Sequence, residues 1–207
     1  MSGVLVICGS PRKRGVSARY TEQLAAELES AGQEVAVWRV ADHGVSGCIG
    51  CEGCRGGSFS CVIRDDMQGL YDMLAQADCV ELVAPVYFSG PTAQLKCVLD
   101  RLQPLWEKRR GPKAQPGAAD APKRPVRLHV IGAGGDPFGF SPLETIVRSS
   151  FGAAGFSVVE VLDRVGWGQP QAEQHKEIFA KISDGATSGI SPEGSASSGA
   201  HNERTCS

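Results

Sequence analysis

Four of the eight cysteines of this chain fall within fourteen residues, as Cys48, Cys51, Cys54 and Cys61, with the spacing C-x2-C-x2-C-x6-C. Thiolates at three-residue intervals can wrap a compact iron–sulfur cluster from a single loop, and the intervening Gly50 and Gly53 let the backbone approach the sulfurs. A zinc ribbon is built differently, from two well-separated C-x2-C pairs, and this chain has no second pair. The reading taken is ligation of a [4Fe–4S] cluster, ahead of a zinc site and of redox-active thiols that carry no metal. Cys8, Cys79 and Cys97 lie in apolar segments, where a thiol serves as a small hydrophobe.

A second set of residues has the composition of an anion site. Gly9-Ser10-Pro11-Arg12-Lys13-Arg14-Gly15-Val16-Ser17 follows an apolar run and precedes a helical pattern. Strand, loop and helix start together present free N–H groups and the positive end of a helix dipole to a phosphate, and hydroxyls and a guanidinium add donors. A basic surface turn is the other reading of the same residues. The nucleoside-triphosphate loop does not fit, because Gly9 and Gly15 enclose five residues and no Lys-Ser/Thr follows. The dinucleotide fingerprint fails as well, since Pro137 replaces the third glycine after Gly132-Ala133-Gly134. Two further loops, Pro85-Val86-Tyr87-Phe88-Ser89-Gly90 and Gly132-Ala133-Gly134-Gly135-Asp136, offer aromatic surface and backbone donors to a flat, hydrogen-bonding ring. His43, His129, His175 and His201 form no pattern with a nucleophile, and hydrolysis finds no support.

These loops need a scaffold, and the hydrophobic pattern supplies one. Strands are expected at Val4 to Cys8, Val35 to Val40, Cys79 to Ala84, Val126 to Ile131 and Val158 to Leu162. Helices are expected around Tyr20, Leu24 and Leu28, with Ser17 as N-cap and Gly32 as stop, then after Asp65-Asp66, after Pro91 through Leu102, and from Ser141 to Ala154. A fifth helix is expected over Ala172 to Ile182. Alternating strands and helices, with strands too apolar for a wet face, predict an α/β fold: a doubly wound, five-stranded parallel sheet in the flavodoxin-like order 2-1-3-4-5, with the cysteine-rich loop after strand 2. Ligands of such sheets bind at the carboxyl ends of the strands, beside the switch between strands 1 and 3.

At 207 residues, with 42% hydrophobic and 21% charged composition, the chain is sized for one domain, expected over residues 1–184, and a tail at 185–207 whose Ser, Gly and Ala content reads as disordered. Residues 103–125, in the basic stretch from Arg101 to Arg127, read as a flexible, solvated insertion. A net charge of −2 argues against nucleic acid as partner. No apolar run approaches a membrane span, and no signal-peptide pattern opens the sequence, so a cytoplasmic location is expected.

Gly9-Ser10-Pro11-Arg12, the segment Cys48 to Asp66, Pro85-Val86-Tyr87-Phe88 and the run from Gln94-Leu95-Lys96 to Asp100-Arg101 together resemble the NADPH-dependent FMN reductase family of flavodoxin-like proteins, in its iron–sulfur flavoprotein branch. The resemblance covers about Val4 to Val165. It implies that Ser10, Arg12, Gly15 and Ser17 hold the FMN phosphate, and that Pro85, Val86, Tyr87, Phe88, Ser89 and Gly90 lie along the isoalloxazine. Gly132, Gly134 and Gly135 would close the site, and Cys48, Cys51, Cys54 and Cys61 would carry the [4Fe–4S] cluster. Val16 stands where the family commonly has Asn, which removes one side-chain donor to the phosphate. The resemblance further implies a flavin-dependent oxidoreductase acting with NAD(P)H or a ferredoxin-like donor and a small-molecule or protein acceptor, assembled as a homodimer or tetramer. The alternatives are a cluster-free NAD(P)H-dependent FMN or quinone reductase, and an electron carrier or redox sensor without turnover.

Overall fold

The computed structural model describes residues 3–134 and 136–168. The elements run β1 (Gly3–Cys8), α1 (Val16–Ser30), β2 (Val35–Arg39), α2 (Met67–Gln76), β3 (Ala77–Pro85), α3 (Ala93–Asp100), α4 (Gln103–Arg110), β4 (Arg124–Ile131), α5 (Ser141–Ala153) and β5 (Phe156–Asp163). All strand pairs are parallel, and the sheet order is β2-β1-β3-β4-β5. The expected fold is therefore the observed one. Ala172 to Ile182, Gly135 and the expected tail lie outside the described residues.

Alternation along β1 divides the interior. Leu5 and Ile7 join Val80, Leu82, Leu128 and Val130 in the larger core beneath α2, α3 and α5. Val4 and Val6 face the other way and meet Tyr20 and Leu28 of α1. The central strands are dry on both faces, whereas the edges are not: Val37 of β2 and Val159 of β5 are exposed. The expectation that no strand has a wet face thus holds only for the inner ones, because an edge strand has a neighbour on one side alone.

Two local expectations are corrected. Ser17 does not cap α1; the N-cap is Gly15, with φ −170°, and Ser17 sits buried in the first turn. Gly32 does mark the helix end, at φ +82°. The segment 103–125 is not a uniformly solvated insertion, since α4 occupies its first third. Pro104 stands in the first turn of α4, Leu105 packs against the larger core, and Glu107 is buried.

One face of the sheet also buries charge. Glu81 of β3 accepts from Arg127 and lies 2.7 Å from Nε2 of His129. Nδ1 of that ring lies 2.8 Å from the Tyr20 hydroxyl, which accepts from Arg164 at 3.2 Å. His129 is thus a satisfied packing residue whose two ring nitrogens are both engaged.

Candidate functional site

Because β1, β3 and β4 are neighbours, the loops that leave their carboxyl ends are neighbours too. The Gly9 amide donates to the Val83 carbonyl at 2.8 Å, and the Thr92 hydroxyl donates to the Gly9 carbonyl at 2.7 Å. Thr92 also accepts from the Leu95 amide as N-cap of α3. A Cβ on Gly9 would stand 2.6 Å from Leu95 Cδ2, so any side chain here would displace Leu95 where the loop crosses this helix. Ser10 is buried and its Oγ accepts from the Arg12 amide at 3.2 Å, which folds the loop back on itself. Among the described residues, the amides of Lys13 to Ala18 donate to no protein acceptor. The last three open the 15-residue α1, whose first amides have no intrahelical partner. Arg12 is exposed above them, and its guanidinium has no ion-pair partner among the described residues. Free amides at a helix start beside an unpaired guanidinium are the donors and charge that a single phosphate group would need.

The loop after β3 is tied to β4 by the Val86 amide, which donates to the Ile131 carbonyl at 2.8 Å. Tyr87 and Gly90 exchange backbone bonds at 2.9 and 3.0 Å, closing a turn in which Phe88 (φ 49°) and Ser89 (φ 60°) are both left-handed. Two consecutive non-glycine residues in that region are costly, at about 1–2 kcal/mol each. Their consequence is positional: the Phe88 ring projects entirely into solvent and Tyr87 is exposed beside it, while Ser89 is buried and accepts from the Leu143 amide. A Cβ on Gly132 would stand 3.7 Å from Val86, and Gly134 turns the next loop at φ +83°. A cavity of about 620 Å³ opens between Phe88, Ser89, Asp136, Pro137, Phe138 and Pro142. The Phe138 amide donates to Asp136 Oδ1 at 3.0 Å. The structure thus brings Ser10, Arg12, Gly15, Ser17 and the Pro85 to Gly90 loop to one end of the sheet, along with Gly132 and Gly134. Gly135 lies outside the described residues.

The cysteines form a separate site. Cys48, Cys51, Cys54 and Cys61 line a single cavity of about 640 Å³, walled on its other side by Arg101, Trp106 and Glu107. The loop is coiled tightly: Gly50, Glu52, Gly57 and Phe59 all have positive φ, and Cys54 sits in a short 3-10 turn, Gly53–Gly56. Gly53 serves the return limb of the loop, because a Cβ there would meet Val62 at 2.6 Å. Burial pushes the Cys54 thiol up, and Glu107, Cys61 and Cys48 push it further, so these groups sense one another's charge. Among the described residues no three metal-ligating side chains converge closely enough to hold one ion. Four thiols around one cavity are the donor set that an iron–sulfur cluster takes, and the walls hold two buried polar atoms without partners, Arg101 Nε and Glu107 Oε2.

Sequence reading missed Arg101. Its side chain is fully buried and closes the base of the cysteine loop from both ends, donating from Nη1 to the Ser46 carbonyl and from Nη2 to the Ile63 carbonyl, each at 3.2 Å. Nη1 also pairs with Asp65 at 2.5 Å, and Asp65 accepts from the Ser46 and Met67 amides. Burial opposes the charge of both partners, but the pairing outweighs it: Asp65 is held below its usual range and Arg101 above. Burial and the neighbouring Cys61 push the Tyr71 phenol up to about 12, and its hydroxyl donates to the Arg101 carbonyl at 2.6 Å. The signal in the sequence was position, since Arg101 follows Val98 by three residues and so falls on the buried stripe of its helix.

Residues 3–159 match the family model of NADPH-dependent FMN reductase. The chain belongs to the NADPH-dependent FMN reductase family. Among characterised relatives, an iron–sulfur flavoprotein of Archaeoglobus fulgidus is 38% identical over 98 residues, covering 47% of this chain and 44% of that protein. One of Methanosarcina thermophila is 37% identical over 116 residues, covering 55% and 59% respectively. The chain thus spans about half the length of the relatives it matches. In fold, this family member is similar to a flavone reductase (TM-score 0.58, 14% identity, 91% of this chain and 64% of that one). It is also similar to an azoreductase of Bacillus anthracis (TM-score 0.56, 17% identity, 90% and 97%). No helix among the described residues of this FMN reductase family member is long and apolar enough to cross a membrane.

Proposed function

We propose that this protein is an FMN-dependent oxidoreductase that also carries a [4Fe–4S] cluster on Cys48, Cys51, Cys54 and Cys61. The observation that carries the reading is that all four cysteines line one cavity, supplied by a loop distinct from those that form the phosphate cradle and aromatic turn. A bound flavin accepts a hydride or two electrons and passes them on singly, which matches a cluster that carries one at a time. The chain's own residues do the rest. Arg12, Ser10 and the amides of α1 hold the phosphate, Val86 to Gly90 lie along the ring, and Gly132 with Gly134 lets the backbone approach its edge. Cys48, Cys51, Cys54 and Cys61 supply four thiolates, and no side-chain acid or base is needed.

The donor is NAD(P)H or a ferredoxin-like protein, and the acceptor a small molecule or protein. Homo-oligomerisation is supported by the aromatic rim, since Phe88 is entirely exposed and Phe138 76% exposed at the cavity mouth, which a second copy would cover. The names of the iron–sulfur flavoproteins of Archaeoglobus and Methanosarcina support the cluster. A cluster-free NAD(P)H-dependent FMN or quinone reductase is the second reading, favoured by thiols that do not converge on a single point. Anaerobic NAD(P)H oxidation assayed with FMN bound, against one-electron and two-electron acceptors, separates the two: cysteine variants lose the one-electron route in the first reading and lose nothing in the second.

A further inference from the structure

Resting on the cluster reading, we propose that Arg101 tunes the cluster: it locks both ends of the cysteine loop through its two terminal nitrogens and donates a further N–H, the one at Nε, to a cluster sulfur or cysteine thiolate. Three of the five guanidinium hydrogens are accounted for by Ser46, Ile63 and Asp65, which lie on the loop and at its exit. Nε is buried and has no acceptor among the described residues, although Arg101 lines the cavity that the four cysteines share. A buried charged donor left without an acceptor is rare in folded proteins. That cavity offers sulfur from Cys48, Cys51, Cys54 and Cys61.

The arrangement has a directional consequence. A cluster ligated by four thiolates is anionic and becomes more so on reduction, so a fixed cation and an N–H donor on sulfur favour the reduced form. Asp65 neutralises part of that charge on the far side of the fork, while the Nε–H remains for the cavity. Glu107 works in the opposite sense: it is buried in the same wall, with Oε1 3.7 Å from Arg55 Nε, and Oε2 has no partner. Arginine is required for the double task, since a lysine ammonium cannot span two carbonyls and keep a third donor in plane.

The test uses the full chain, prepared anaerobically and reconstituted with iron and sulfide, with the cluster potential read by EPR-monitored titration. Arg101→Lys, which keeps the charge, should move the potential negative, and Arg101→Gln should move it further, with FMN content unchanged in both. Arg101→Lys with a full cluster and an unshifted potential would overturn the proposal. Since loss of the loop clamp can cost the cluster itself, a second measurement uses the wild-type fold: protein grown on 15N-arginine should show 15N hyperfine coupling in pulsed EPR of the reduced cluster. That coupling should persist in Arg55→Lys, which removes the other arginine of the cavity; its absence from labelled wild type overturns the role of Arg101. A wild type that takes up no iron overturns the cluster reading itself, a distinct result.

Discussion

Thr92 and Arg101 stand at opposite ends of α3, about 13 Å apart by helical rise, and each reaches away from the helix to fix a different loop. Thr92 caps the helix and holds the Gly9 carbonyl of the proposed phosphate loop. Arg101 holds Ser46 and Ile63 of the cysteine loop. One short helix thereby anchors a loop of each candidate site.

Thr92→Val keeps the shape but removes both hydrogen bonds. It should destabilise the protein by about 1–2 kcal/mol in urea unfolding and raise the Kd for FMN several-fold. Iron content should not change, and an unchanged unfolding midpoint would refute the structural role given to this hydroxyl.

Arg12→Ala should weaken FMN binding by about 1.5–3 kcal/mol, the worth of a charge-assisted hydrogen bond to phosphate. Riboflavin, which lacks the phosphate, should bind both proteins equally. Fluorescence titration with the two ligands checks this, and equal losses for both would place Arg12 elsewhere.

The strands and the three loops at their carboxyl ends were legible in the sequence because the inner parallel strands are mostly apolar and glycine or proline ends them. The cysteine loop was legible from spacing alone. Segment 103–125 was not, since Lys108, Arg109 and Arg110 make α4 look solvated, and only the buried Pro104 and Glu107 with the part-buried Leu105 show otherwise. Arg101 was read with those charges because nothing local announces that a guanidinium is buried. Its partners lie 36 to 55 residues away, and only the fold brings them together.

Asp65 gives a pH signature. Its folded pKa lies below the unfolded value of about 3.9, so its contribution is present above that value and is lost as pH falls through the folded pKa. Asp65→Asn should lower stability near neutral pH and flatten the acid limb of the stability curve measured by urea unfolding. A variant whose acid limb parallels that of wild type would show that the pair with Arg101 contributes nothing to folding.

Phe88→Gly separates strain from binding. Relief of the left-handed backbone should stabilise the flavin-free protein by up to about 1 kcal/mol, while loss of the ring weakens FMN binding and any self-association it supports. Thermal unfolding with and without FMN, together with sedimentation, measures all three. A less stable flavin-free variant would mean that the exposed ring packs against the protein after all.

The most direct test of the two-cofactor account is the flavin, iron and acid-labile sulfide content of the anaerobically reconstituted protein, measured beside Cys48→Ala, Cys51→Ala, Cys54→Ala and Cys61→Ala. About one FMN, four iron and four sulfide per wild-type chain are expected. Each cysteine variant should lose iron and sulfide together and retain FMN. FMN without iron or sulfide in the wild type, or full clusters in all four variants, would contradict it.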